Sequence, residues 1–185
     1  MDVVVAVTGA SGSLLAKQLL LGLKGAGVRT HLIMSEPAKK IAEIELPGVN
    51  IKSLADVSYS NNDLAAPIAS GSFKFDAMII APCSMKTLGE SANGCGGSLI
   101  SRVVEVCLKE DRKLILMPRE APFSLIDLRN MVSVKEAGGM ILPPTLAFYP
   151  KPETPEDLVN FACGKALDLL GIKNNLFKKW EGLKK

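Results

Sequence analysis

Residues 3–12 read Val3-Val4-Val5-Ala6-Val7-Thr8-Gly9-Ala10-Ser11-Gly12, and Leu14, Leu15, Leu19, Leu20 and Leu23 follow at the spacing of one helical face. A β-branched run favours an extended strand, and glycines allow the chain to turn sharply behind it. The leucines then repeat with the period of an amphipathic helix. The stretch predicts strand, tight glycine turn, helix. Gly25-Ala26-Gly27 stops that helix, Val28 to Met34 reads as a second strand, and Ser35 is placed to cap a second helix through Lys40 and Ile44. The period switches from strand to helix twice within 45 residues.

The pattern continues outward from this unit. Leu46 to Ser72 contains Pro47-Gly48 and Asn61-Asn62-Asp63 with little periodicity, which predicts a weak strand near Ile51 and then a long surface loop. Met78-Ile79-Ile80-Ala81 is a buried strand, and Pro82-Cys83-Ser84-Met85-Lys86-Thr87 opens a helical region broken at Gly94 to Gly97 and resumed from Leu99 to Leu108. Leu114 to Met117 is the next strand, ended by Pro118 and followed by a helix through Ile126 and Met131 to Ala137. Met140-Ile141-Leu142 closes the sheet, Pro143 to Pro155 is extended, and Glu156 to Leu170 forms a last amphipathic helix. Such alternation predicts one α/β domain, a three-layer sandwich with a mostly parallel sheet and helices on both faces.

Composition bounds the function. A chain of 185 residues fits one domain and buries roughly two thirds of its unfolded surface. Its mean hydropathy of +0.24 is high for a soluble monomer, so apolar surface must be hidden somewhere. No apolar stretch approaches the roughly 18 residues needed to cross a bilayer, and the N-terminus has no basic region of a signal peptide, so no membrane contact and a cytoplasmic location are expected. The net charge of +3, partly in the tail from Lys173 to Lys185, is too mild to argue for nucleic acid. Cys83, Cys95, Cys107 and Cys163 form no Cys-x-x-Cys pair and have only His31 to join them. The expectation is no metal and buried free thiols in a reducing compartment.

In a doubly wound sheet the ligand lies beyond the C-terminal ends of the strands, where helix N-termini attract anions. Gly9-Ala10-Ser11-Gly12, Ser35, Ser84-Met85-Lys86-Thr87 and Arg119-Glu120 all fall there. The glycine loop alone lacks the full dinucleotide fingerprint and reads equally as a bare turn or a phosphate cradle. Ser35 stands where a dinucleotide fold holds an acid for the ribose, which favours a mononucleotide such as FMN over NAD. Taken by residue type alone, Lys109 is a solvated helix end, Tyr149 a packing aromatic, Lys165 a surface lysine, and His31 and Cys83 structural. The arm ending in Lys178-Lys179-Trp180, with Leu176 and Leu183, reads as a packing arm.

Several segments occur together in order: Thr8 to Gly12, Ala66-Pro67-Ile68-Ala69-Ser70-Gly71-Ser72, Pro82 to Leu88, Leu108-Lys109-Glu110-Asp111-Arg112, and Pro118-Arg119-Glu120-Ala121-Pro122-Phe123-Ser124. Over nearly the whole chain the sequence resembles the flavin prenyltransferase family. The resemblance implies a Rossmann-like, flavodoxin-like FMN domain over 1–172 and a basic arm over 173–185. It also implies alkylation of reduced FMN, at N5 and then C6, by a dimethylallyl group from dimethylallyl phosphate. The product would pass to a separate decarboxylase, and the assembly would be a homododecamer with sites at subunit junctions.

By position, the resemblance assigns FMN to Gly9, Ala10, Ser11, Ser35, Ser84, Met85, Lys86, Thr87 and Arg119. The donor phosphate falls to Tyr149, Lys165, Lys109 and Arg102, partly from a neighbouring subunit. Glu120 would act as the acid at the departing phosphate with Ser11 in support, Glu45 matches a carboxylate near the flavin, and Lys109 joins this catalytic set. Two positions depart from the family pattern: Leu64 stands where a tryptophan is frequent, and Gly97-Ser98 where an Asn-Asn or Asp-Asn pair is common. The rival within the same superfamily, an FMN-dependent decarboxylase of cysteine-containing peptides, uses a histidine and a Pro-x-Met-Asn motif. Here the motif reads Pro82-Cys83-Ser84-Met85, and His31 lies inside a strand. A flavin-binding protein without catalysis would need neither Glu120 nor Lys109.

Overall fold

The computed structural model describes residues 1–182. Six strands form one sheet: β1 (Asp2–Val7), β2 (Arg29–Met34), β3 (Val57–Ser60), β4 (Ala77–Cys83), β5 (Lys113–Pro118) and β6 (Met140–Ile141). Their order is β3-β2-β1-β4-β5-β6, and every neighbouring pair is parallel. The helices are α1 (Ser13–Gly25), α2 (Glu36–Glu45), α3 (Met85–Asn93), α4 (Leu99–Lys109), α5 (Leu125–Glu136) and α6 (Pro155–Leu170). The α/β sandwich expected from the sequence is the fold observed.

The unbroken apolar run of β1 follows from burial on both faces, as parallel sheets require. Val3, Val5 and Val7 point toward α1 and α6 and pack in one core with Leu19, Leu23, Ala166 and Leu167. Val4 and Ala6 point the other way, into a second core with Leu88, Val103 and Cys107 from α3 and α4. The sheet therefore separates two apolar layers. Winding reverses between β1 and β4, the neighbours at the middle of the order, and a crevice opens at their C-terminal ends.

The segment from Leu46 to Ser72 corrects the sequence reading. Ile51 starts a 3-10 turn over Ile51–Leu54, not a strand, because the Asn50 side chain caps the turn by accepting from the Lys52 N–H at 3.1 Å. The edge strand is β3, and a second 3-10 turn at Pro67–Ala69 buries Ile68. The cysteines also divide: Cys83, Cys107 and Cys163 are buried, whereas Cys95 is exposed on the glycine-rich connection between α3 and α4. Desolvation pushes the three buried thiols well above the ordinary thiol range. His31 is buried, its Nδ1 3.0 Å from the Tyr59 hydroxyl and its Nε2 3.3 Å from Asp2 Oδ2. The acidic partner that the sequence did not reveal comes from the neighbouring strand.

The arm after α6 folds back. Asn174 donates to the Asp168 carboxylate at 3.0 Å and to the Gly164 carbonyl at 3.3 Å, and Lys179 pairs with Asp168 at 3.0 Å. Phe177 sits edge-on to Phe161 at 5.0 Å. Positions 183–185, and with them Leu183, lie outside the described residues. Helix α5 is the exception to the buried pattern, since Leu125, Ile126, Leu128 and Val132 are exposed, Ile126 at 70%. Leu146 and Phe148 add to the exposed apolar surface. Among the described residues no helix is long and apolar enough to cross a membrane.

Candidate active site

A cavity of about 500 Å³ occupies the crevice, a size suited to a small-molecule ligand. Four strand ends line it: Gly9 and Ala10 after β1, Ser35 after β2, Ser84 to Thr87 after β4, and Arg119 and Glu120 after β5. All of these were anticipated from the sequence. Thr8, Glu36, Pro37, Asn61, Glu90, Ser98 and Ile100 complete the lining and were not singled out as site residues.

Three helices, α2, α3 and α4, begin at the cavity. Ser35 caps α2 by accepting from the Ala38 N–H at 3.3 Å, and Ser84 caps α3 by accepting from the Thr87 N–H at 3.3 Å. Each cap fixes a helix N-terminus whose remaining N–H groups and dipole favour an anion. Gly9 packs tightly against the first turn of α2, where a Cβ would lie 2.8 Å from Pro37 Cβ. Asn61 holds a third helix start from the end of β3: its Oδ1 accepts from the Ile100 N–H at 3.1 Å and its carbonyl from the Leu99 N–H at 2.8 Å. Glu120 accepts from the Ala121 N–H at 3.0 Å and stays exposed beside Arg119. Lys86 and Arg119 are the cations of the lining, and Lys86 pairs with Glu90 at 3.3 Å.

Glu45 is not among the lining residues. It stands at the end of α2 and accepts from the Gly12 N–H at 3.0 and 3.1 Å and from the Ser13 N–H at 2.6 Å. Gly12 has φ 124°, a left-handed conformation that favours glycine, and offers no side chain to cap α1, so the Glu45 carboxylate takes that place. Burial raises the carboxyl pKa, but hydrogen bonds from the Ser11 side chain, Ser13 and Gly12 outweigh it, and Glu45 lies below its ordinary 4.5. Ser11 thus faces Glu45 from the same loop.

A pH dependence follows. A carboxyl whose pKa is depressed by folding stabilises the fold above its unfolded value, and that contribution disappears as pH falls through the folded value. Glu45→Gln should therefore lower apoprotein stability at neutral pH by about 1–2 kcal/mol, the scale of a lost helix cap. It should also flatten the loss of stability below pH 4.5, as urea denaturation on both sides of that value would show. An unchanged acid limb would remove Glu45 from this role.

The donor set assigned by resemblance lies outside the lining. Lys109 is exposed at the end of α4 and sits 3.7 Å from Glu110. Arg102 donates to the Ala69 carbonyl at 3.0 Å and to Glu105 at 2.9 Å. Tyr149 meets Phe161 and Trp180 edge-on at 6.0 and 5.7 Å, and Lys165 is exposed on α6. Leu64 is exposed and does not line the cavity, while Ser98 does. His31 is likewise absent from the lining, so the histidine of the rival decarboxylases has no counterpart there. Among the described residues no group of three or more His, Cys, Asp or Glu is placed to hold a metal.

Comparison with known proteins places the chain in a family. The family model described as Flavoprotein matches residues 1–167. The flavin prenyltransferase UbiX of Methanocaldococcus jannaschii is 50% identical over 182 residues, covering 97% of this chain and 98% of that protein. The solved structure of AnUbiX (PadA1) in complex with FMN and dimethylallyl pyrophosphate superposes with a TM-score of 0.96 at 44% identity, covering 99% and 98% of the two chains. A dodecameric FMN-dependent Ubix-like decarboxylase from Escherichia coli O157:H7 superposes with a TM-score of 0.94 at 43% identity, covering 99% and 100%. With a parallel sheet in this strand order and a cavity framed by the serine-capped starts of α2, α3 and α4 and by Arg119-Glu120, the chain belongs to the flavin prenyltransferases of the flavoprotein family.

Proposed function

We propose that this protein transfers a dimethylallyl group from a dimethylallyl phosphate to N5 and then C6 of reduced FMN, in the cytoplasm, and that the product serves a separate decarboxylase. The observation that carries the reading is the meeting of three capped helix N-termini, Lys86, Arg119 and Glu120 around one cavity. FMN fits this donor set. Hydroxyls and N–H groups of Ser35 and Ser84 to Thr87 suit its phosphate and the polar edge of its ring, and Gly9-Ala10 allows close approach. When bound, reduced flavin supplies the electron-rich nitrogen and carbon that accept the alkyl group.

The chain's own residues have three tasks. Arg119 and the helix starts hold anionic groups, and the apolar side of the pocket keeps water from a reactive allylic carbon. Glu120 delivers a proton to the departing phosphate oxygen. Lys109, Arg102, Tyr149 and Lys165 meet the donor phosphate across a subunit junction, which accounts for their absence from the cavity of a single chain. The exposed apolar side chains of α5, with Leu146 and Phe148, support assembly into a closed homo-oligomer, a dodecamer in this reading. In this reading residues 1–172 form the FMN domain, and the basic arm that follows is a packing arm, its described part bonded back to α6.

The test is incubation with reduced FMN and either dimethylallyl monophosphate or diphosphate, followed by mass spectrometry of the flavin. A flavin heavier by one isoprene unit is expected with at least one donor. Unmodified flavin with both, or selective binding of NAD, would overturn the assignment.

A further inference from the structure

We propose that Thr8 is a positioning residue that sets the width of the flavin cleft, a role that rests on the reading of the cavity as an FMN site. The β1–β4 ladder pairs Val3 to Ala6 with Ala77 to Ile80 and goes no further. Beyond it stands Pro82, which has no N–H to give. Thr8 closes the gap with three hydrogen bonds. Its N–H donates to the Pro82 carbonyl at 3.2 Å, its hydroxyl donates to the same carbonyl at 2.9 Å, and the hydroxyl oxygen accepts from the Ser84 N–H at 2.7 Å.

Thr8 is 1% exposed, and both roles of its hydroxyl are filled, one by the Pro82 carbonyl of β4 and the other by the Ser84 N–H at the start of α3. What it joins matters more than its burial. On one side the next residues are Gly9 and Ala10, and on the other Ser84 begins α3, and both segments line the cavity. Because β1 and β4 are the strands between which winding reverses, the Thr8–Ser84 bond ties together the two chain segments between which the crevice opens. Removing the hydroxyl frees α3 to shift relative to the glycine loop and leaves the Ser84 N–H without its partner. Thr8 need not touch the ligand, because it acts through the two segments that do.

Thr8→Val keeps the shape of the side chain and removes only the hydroxyl. It should weaken FMN binding roughly tenfold or more, the scale of one buried donor left unpaired. At saturating FMN and well below the unfolding temperature, the visible circular dichroism of the bound flavin should change. Protection of the Ser84 amide from hydrogen exchange should also fall in the ligand-free protein. Thr8→Ser, which restores the oxygen, should recover all three; if Thr8→Val does not fold, Thr8→Ala serves for the same comparison. A variant with lower thermal stability but unaltered FMN affinity and flavin spectrum makes the hydroxyl merely structural and overturns the proposal, as does failure of Thr8→Ser to rescue. A wild-type protein that binds no FMN overturns the cleft reading itself, and is distinguished by the unmutated chain failing first.

Discussion

Glu120→Gln should slow prenyl transfer by about 10²-fold or more, the range of a lost general acid, while FMN affinity stays within a few-fold of wild type. The substitution keeps the shape of the side chain and an oxygen able to accept from the Ala121 N–H, so the Pro118 to Pro122 turn has no reason to move. What it removes is the group able to pass a proton on. Protonating the bridging oxygen helps when the carbon–oxygen bond is breaking and contributes little to the ground state, so the loss falls on turnover rather than on binding. Single-turnover measurement with preloaded reduced FMN, beside a flavin titration, separates the two. A variant that turns over normally, or one that loses its flavin, would shift the role to Lys109 or Tyr149.

Ile126→Asp should break the assembly. Ile126 is 70% exposed, and Leu125, Leu128 and Val132 are exposed on the same helix, so α5 carries apolar side chains that no other part of the described chain covers. A buried aspartate at a subunit contact carries a desolvation penalty no neighbour offsets, so light scattering at micromolar concentration should show a smaller species. Under the proposed donor assignment, transfer should fall by about 10²-fold or more, because Lys109, Arg102 and Lys165 would then have no neighbouring cavity to serve. Far-ultraviolet circular dichroism should remain that of the folded chain, since Ile126 touches neither core. An intact oligomer would show that the contacts lie elsewhere.

Much of this was legible in the sequence, and for identifiable reasons. The β1 turn and α1 announced themselves because a valine run, paired glycines and spaced leucines each point to one backbone conformation. The strand ends exposed the site because the doubly wound topology fixes where ligands go, which made Ser35, Ser84 to Thr87 and Arg119-Glu120 readable without coordinates. Strand β3 was missed because Val57-Ser58-Tyr59-Ser60 lies on the sheet edge and alternates half-buried with exposed residues, so it lacks the apolar run of the inner strands. Asn61 and Thr8 were missed as site residues for a different reason. Their partners, Ile100 and Ser84, are distant in sequence, and only the strand order brings them together. Glu45, which the resemblance sets near the flavin, also has a capping role at α1 that the sequence did not announce, a need created by Gly12.

The strand order also governs how the cleft comes into being as the chain is made. Strand β1 gains its first partner from β2, close behind it, but its second edge waits for β4, and Thr8 and Pro82 are 74 positions apart. Contacts of such separation carry a loop-closure cost that slows their formation. Until β4 leaves the ribosome, the nascent chain presents a strongly apolar strand with one row of backbone groups unpaired, the type of edge that recruits other chains. Flavin offers no help in that interval, because half of its cradle has not yet been synthesised.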